Sequence, residues 1–180
     1  MSTPSESEHC VSAVQNWLQK WVIGLNFCPF AKKEFERKTI QYTVDKAQTS
    51  EQALNGLLAE IQRLEQEPGI ETSLLIYPAG FADFDDYLDW LELANTLVAQ
   101  GGYRGIYQLA SFHPDYCFEG EAPDDPANYT NRAPYPIVHI LREASLERVL
   151  KQYPDPDSIP ANNIAKCREL GAAKLLSLLK

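Results

Sequence analysis

Apolar residues recur at helical spacing over residues 8–25, where Val11, Val14, Leu18, Trp21, Val22 and Leu25 form one stripe and Ser5 with Glu8 has the spacing of a capping box before it. Gly24-Leu25-Asn26 ends that helix. Phe27–Lys33 then begins a second, short one with Pro29 suited to its first turn. Thr39–Val44 switches to period two, with Ile40, Tyr42 and Val44 on one side and Thr39, Gln41 and Thr43 on the other, which predicts a half-buried strand. Helical spacing returns in Ala53, Leu54, Leu57, Leu58, Ile61 and Leu64, with Ser50 as the expected cap and Pro68-Gly69 as the stop. Thr72–Tyr77 is a short continuous apolar run of the kind that fills a sheet interior. A helix over Asp85–Gln100 follows, with Leu88, Leu91, Ala94, Leu97 and Val98 expected inward and Asp83, Asp85 and Asp86 complementing its N-terminal dipole. Strands are predicted at Gly105–Ser111 and Ile137–Leu141, a short helix at Ser145–Tyr153 and a last helix over 161–178.

This alternation of helices and strands predicts an α/β (or α+β) fold. We expect a single domain over residues 8–180 behind a flexible N-terminus (1–7), and a second flexible piece at Pro154–Pro160. About four strands would form a mixed, mostly parallel sheet flanked by helices. Whether Ile137–Leu141 runs parallel or antiparallel stays open. The connection before it is unusually long for a compact domain, and Ser111–Arg142 holds five of the chain's twelve prolines. Its aromatic residues argue for an ordered, site-forming loop. Three strands would share one carboxyl edge, the usual ligand side of an open α/β sheet, from which Asp45-Lys46, Pro78–Asp86 and Ser111–Asp115 emerge.

Candidate chemistry gathers at that edge. His113 leaves a strand there and is followed by Pro114-Asp115, so an acid–base role with Asp115 as its orienting carboxylate is one expectation. The other is a histidine that holds the loop backbone. Arg132 is a candidate anchor for a carboxylate or phosphate, with Asn131 and Tyr129 beside it; alternatively it neutralises Asp124 or Asp125. Cys28 starts a helix with Lys32 one turn on, which suits a nucleophile, against the alternative of a buried, inert thiol beside Phe27 and Phe30. His139 shares a strand face with Ile137 and Leu141 and is expected to be a bonded core histidine. The loop carboxylates Asp115, Glu119, Glu121, Asp124 and Asp125 read more simply as a solvated surface than as a cation site, and a His113, Asp115, Cys117 metal comb is not expected. No metal site is assigned.

Composition narrows the partners. The 180 residues are 44% hydrophobic and 23% charged, an ordinary globular balance, and the net charge of −9 disfavours nucleic acid and anionic membranes. The N-terminus lacks a secretory pattern and no apolar run would span a bilayer, so a cytoplasmic location is expected. Four scattered cysteines without a Cys-x-x-Cys pair are expected to be reduced. No nucleotide loop, nucleophile elbow or zincin pair occurs. Cofactor and oligomeric state are unknown, and a small anionic ligand is the partner that Arg132 suggests. An enzyme acting on a small molecule is the leading expectation, and a binding or scaffold module that uses the 111–136 loop is the alternative.

Several long motifs stand together in the chain: Trp21-Val-Ile-Gly-Leu-Asn-Phe-Cys28-Pro-Phe-Ala-Lys32, Ala110-Ser-Phe-His113-Pro-Asp-Tyr, Ala122-Pro-Asp-Asp125, Asn128-Tyr-Thr-Asn-Arg132, Pro134-Tyr-Pro136 and His139-Ile-Leu-Arg-Glu143-Ala-Ser. With them the sequence closely resembles the DUF1415 family over about residues 12–170. The resemblance implies a single-domain cytosolic bacterial protein and carries no catalytic residues with it.

Overall fold

The computed structural model describes residues 5–179. Of the expected flexible N-terminus, residues 1–4 lie outside the described residues, and Ser5 with Glu6 and Ser7 belongs to the start of the first helix. That helix, α1 (Glu6–Trp17), carries the anticipated capping box: Ser5 Oγ accepts from the Glu8 N–H and Glu8 returns to the Ser5 N–H. The apolar stripe continues to Leu25, but the helix does not stay α. It widens into a π-helical segment, Leu18–Ile23, closed by Gly24 N–H to Gln19 O and Phe27 N–H to Val22 O. A Cβ at Gly24 would stand 2.2 Å from Lys20 O, so only glycine fits this wide turn.

A turn through Asn26, in the left-handed region, leads to α2 (Ala31–Arg37) and the edge strand β1 (Ile40–Val44). Helix α3 (Ser50–Gln66) is capped one residue earlier than expected, by Thr49 Oγ1 accepting from the Gln52 N–H. Strand β2 (Thr72–Ile76) is buried throughout. Helix α4 (Phe84–Gln100) starts on Asp83, whose carboxylate accepts from the Asp85 and Asp86 N–H groups. Its inward stripe is Tyr87, Trp90, Ala94 and Val98, while the expected Leu88 is exposed. Aromatic bulk, which the aliphatic pattern concealed, decides the rotation.

Strands β3 (Tyr107–Phe112) and β4 (Ile137–Arg142) complete one sheet in the order β1-β2-β4-β3. β1 and β2 pair in parallel, and β4 pairs antiparallel with both β2 and β3. The direction left open is thus settled, and the sheet is mixed with a single parallel pair. β1, β2 and β3 still point the same way and share the expected carboxyl edge. The chain ends in α5 (Glu143–Leu150), α6 (Ile159–Leu170) and α7 (Ala172–Leu179). The single last helix predicted is two, broken at Gly171, which has φ +75°.

Helices α3 and α4 cover one face of the sheet, where Leu57, Ile61, Trp90 and Ala94 pack on Leu75, Tyr77, Val138 and Ile140. On the opposite face α1, the π-helical segment, α6 and α7 bring Val14, Trp17, Trp21, Cys167 and Leu175 onto Leu74, Ile76 and Ile137. The first core also encloses a polar pair, the Ser73 hydroxyl on β2 donating to the buried Glu60 carboxylate of α3 at 2.6 Å. Among the described residues, no helix is long and apolar enough to cross a membrane.

Candidate functional site

Strand β3 delivers His113 to the carboxyl edge, as expected, but the ring is enclosed there. It is fully buried, with its centroid 5.1 Å from that of Phe84 and 5.3 Å from that of Tyr87 on α4. Its Nε2 lies 2.8 Å from Phe81 O and its Nδ1 3.0 Å from the Asp115 backbone nitrogen. A carbonyl only accepts and an N–H only donates, so Nε2 carries the proton and Nδ1 the lone pair. Neither nitrogen is left for a substrate. Asp115 does orient the ring, through its backbone N–H rather than the anticipated carboxylate.

The other edge candidates are engaged in the loop itself. Arg132 donates from Nε to Tyr116 O (3.2 Å) and from Nη2 to Pro123 O (2.9 Å), and its guanidinium lies over the Tyr129 ring at 4.4 Å. Asn131 Nδ2 donates to Ser111 O, and the Asn131 carbonyl accepts from the His113 N–H. Tyr129 is buried beside Trp21, whose indole N–H donates to Tyr129 O at 3.3 Å. Asp125 and Glu121 pair with Arg168 on α6, not with Arg132, and the guanidinium holds the Asp125 carboxyl below its usual range. Asn128, passed over in the sequence, is fully buried and ties Phe118 N–H to Ala122 O through its amide. Lys32 is exposed and faces Glu36 at 3.9 Å. Among the described residues, no group of three or more histidine, cysteine or acidic side chains is placed to hold a metal ion. The edge does carry a polar pocket of about 370 Å³, but it is lined by Gln48, Thr49, Ser50, Phe81, Asp86 and Asp89 and by none of the residues singled out for chemistry.

Cys28 is elsewhere. It lines an apolar cleft of about 390 Å³ on the sheet face opposite α3 and α4, and the structure does not bring it to His113. The floor of this cleft is the cross-strand row Leu74, His139 and Ala110, where β2, β4 and β3 lie in register. Trp17, Leu18 and Val22 form one wall together with the Phe27–Ala31 turn. Helix α5 forms the other with Leu146, Val149 and Leu150, continued by Pro156 and Ile159. Phe30 and Tyr153 meet edge-to-face at 5.8 Å. Burial pushes the Cys28 thiol up, against a smaller downward pull from the Phe30 and Ala31 N–H groups.

Two polar features of the lining are fixed by their partners. Arg142 reaches away from the cleft: it donates to Ile70 O, to Leu64 O at the end of α3 and to the Tyr107 hydroxyl. His139 is bonded as expected, with Nε2 2.7 Å from Thr72 Oγ1, but it sits half-buried on the cleft floor rather than inside either core. Burial draws its pKa from 6.5 down to about 4, so the ring is neutral near pH 7.

Sequence reasoning missed the cleft apart from Cys28. Two signals pointed to it. The face of the sheet that carries Ile137 also carries His139 and Ala110, where a filled core would hold large aliphatics. Helix α5 has a clear apolar stripe yet buries none of its residues fully. Neither signal could be used until β4 was known to lie between β2 and β3.

No curated protein and no solved structure matches the chain. A family described as protein of unknown function (DUF1415) matches residues 9–177, and the chain belongs to that family.

Proposed function

We propose that this protein binds a small, largely apolar molecule in the cleft between the sheet face, the Phe27–Ala31 turn and α5. The observation that carries this reading is α5 itself. Its Leu146, Val149 and Leu150 turn to the cleft and join neither hydrophobic core, so the helix presents apolar surface to a concave space rather than to packed side chains. A volume of about 390 Å³ falls within the range of small-molecule sites, and a mostly apolar wall with a few fixed polar groups is their usual composition. The carboxyl-edge alternative has less support, because His113 commits both ring nitrogens to backbone groups of Phe81 and Asp115, and Arg132 holds its Nε and one Nη2 N–H on the loop carbonyls of Tyr116 and Pro123.

Titration with the neutral fluorescent dye N-phenyl-naphthylamine tests the reading. The dye should bind saturably with a blue-shifted emission, and Ala110→Phe, which raises the cleft floor, should abolish binding while the protein stays folded. Leu146→Trp provides a second block from the α5 side. Unchanged binding in both folded variants, or no binding by the wild type, would sink the proposal.

A further inference from the structure

Thr72 and His139 set the polar character of the cleft floor, while on α5 the Ser145 hydroxyl oxygen accepts from Arg148 Nη2 at 3.2 Å. The Thr72 hydroxyl oxygen lies 2.6 Å from Ile140 O and 2.7 Å from His139 Nε2. A hydroxyl has one proton, and the Ile140 carbonyl can only accept, so that proton goes to the carbonyl. Sending it to Nε2 instead would leave two oxygen lone pairs facing each other at 2.6 Å. Thr72 therefore presents a lone pair to His139, and Nε2 carries the ring proton. Nδ1 is left as an acceptor, and among the described residues it has no partner.

The remaining lining excludes most charged heads. The one guanidinium on the wall, Arg142, is committed to backbone carbonyls and a tyrosine hydroxyl. Both carboxylates already have partners: Glu34 accepts from the Thr39 hydroxyl at 2.6 Å, and Glu71 faces Arg148 at 3.5 Å. A carboxylate head would meet a lone pair at Nδ1 and no free cation, at the full cost of leaving water.

Resting on the cleft reading above, we infer that the ligand is a neutral apolar molecule whose polar anchor is a hydroxyl or N–H donated to His139 Nδ1. Dye displacement by three matched compounds tests this: n-octanol, which donates, heptyl methyl ether, which only accepts, and octanoate, which is charged. The alcohol should displace the dye at concentrations roughly three- to tenfold lower than the ether, the worth of one neutral hydrogen bond, and octanoate should be the weakest. His139→Phe should bring alcohol and ether together. In Thr72→Val the ring is free to take the other tautomer and donate from Nδ1, so the ether should gain on the alcohol.

Failure of the dye to bind at all would remove the cleft reading. Dye binding with ether equal to alcohol, or with octanoate the strongest, would overturn the present inference alone. Long-range ¹⁵N–¹H spectra of the unmutated protein add a readout independent of the variants. They should show a pyrrole-type Nε2 and a pyridine-type Nδ1, with Nδ1 moving on addition of n-octanol and not of the ether. The opposite tautomer would contradict the inference.

Discussion

His113, just past the end of β3, and His139, within β4, differ in what they leave unspent. His113 uses both ring nitrogens on the protein, and one of its bonds goes to the carbonyl of Phe81, a bulky residue held at φ +60°. Removing the ring would open a cavity and orphan a buried carbonyl and N–H, so His113→Ala should cost about 2–4 kcal/mol in urea unfolding while dye binding at the cleft persists. Loss of dye binding without loss of stability would point back to the carboxyl edge. His139 predicts a pH effect. The unfolded chain takes up a proton below pH 6.5 and the native ring not until about pH 4, so stability is full above 6.5 and declines as the pH falls towards 4. In His139→Phe the acid decline over that window should be shallower; an identical slope would show that the His139 ring does not carry it. The sequence made His113 conspicuous through its neighbours Pro114 and Asp115. It could not show that Phe84, Tyr87 and Phe81, from a helix and a loop some thirty residues earlier, would close over the ring.

At the level of elements, the apolar pattern located all four strands and most helices because it is local to each, even in β1 and α5, where the stripe ends only half-buried. The exceptions have causes outside the local pattern. The π-helical segment Leu18–Ile23 places the Trp17 and Trp21 indoles where they donate to Arg132 O and Tyr129 O, more than a hundred residues away. That demand is invisible in the first thirty residues. Helix α3 hides another such contact. An interior glycine ordinarily costs a helix about 1 kcal/mol relative to alanine. At Gly56, however, an added Cβ would stand 2.0 Å from Asp45 Oδ2, and the other oxygen of that carboxylate accepts from the Ala47 N–H at 2.9 Å. Gly56→Ala should therefore lower stability by about 1–2 kcal/mol, against the usual gain, and the same change in an Asp45→Ala background should raise it. A thermal melt that shows Gly56→Ala stabilising on its own would refute the close approach.

For the whole molecule, the alternation of elements was enough to give the layered α/β architecture and the shared edge, and the usual rule for such sheets directed attention there. The long loop after β3 bears on that expectation in two ways. It tied its own histidine, arginine and asparagines into a self-supporting strap anchored to α6 through Arg168. It also returned β4 antiparallel into the middle of the sheet, which set His139 beside Leu74 and Ala110 on a face that the helices only partly cover. Cys28, the one residue common to the expected site and the cleft, reached it because the Phe27–Ala31 turn forms a wall. The central claim is that a small molecule occupies this face, and intermolecular nuclear Overhauser effects from bound N-phenyl-naphthylamine test it most directly. They should connect the dye to Leu74, Leu141, Leu146 and Val149 methyl groups and to the Trp17 indole; contacts to Phe84 and Tyr116 at the carboxyl edge instead, or none at saturating dye, would contradict the account.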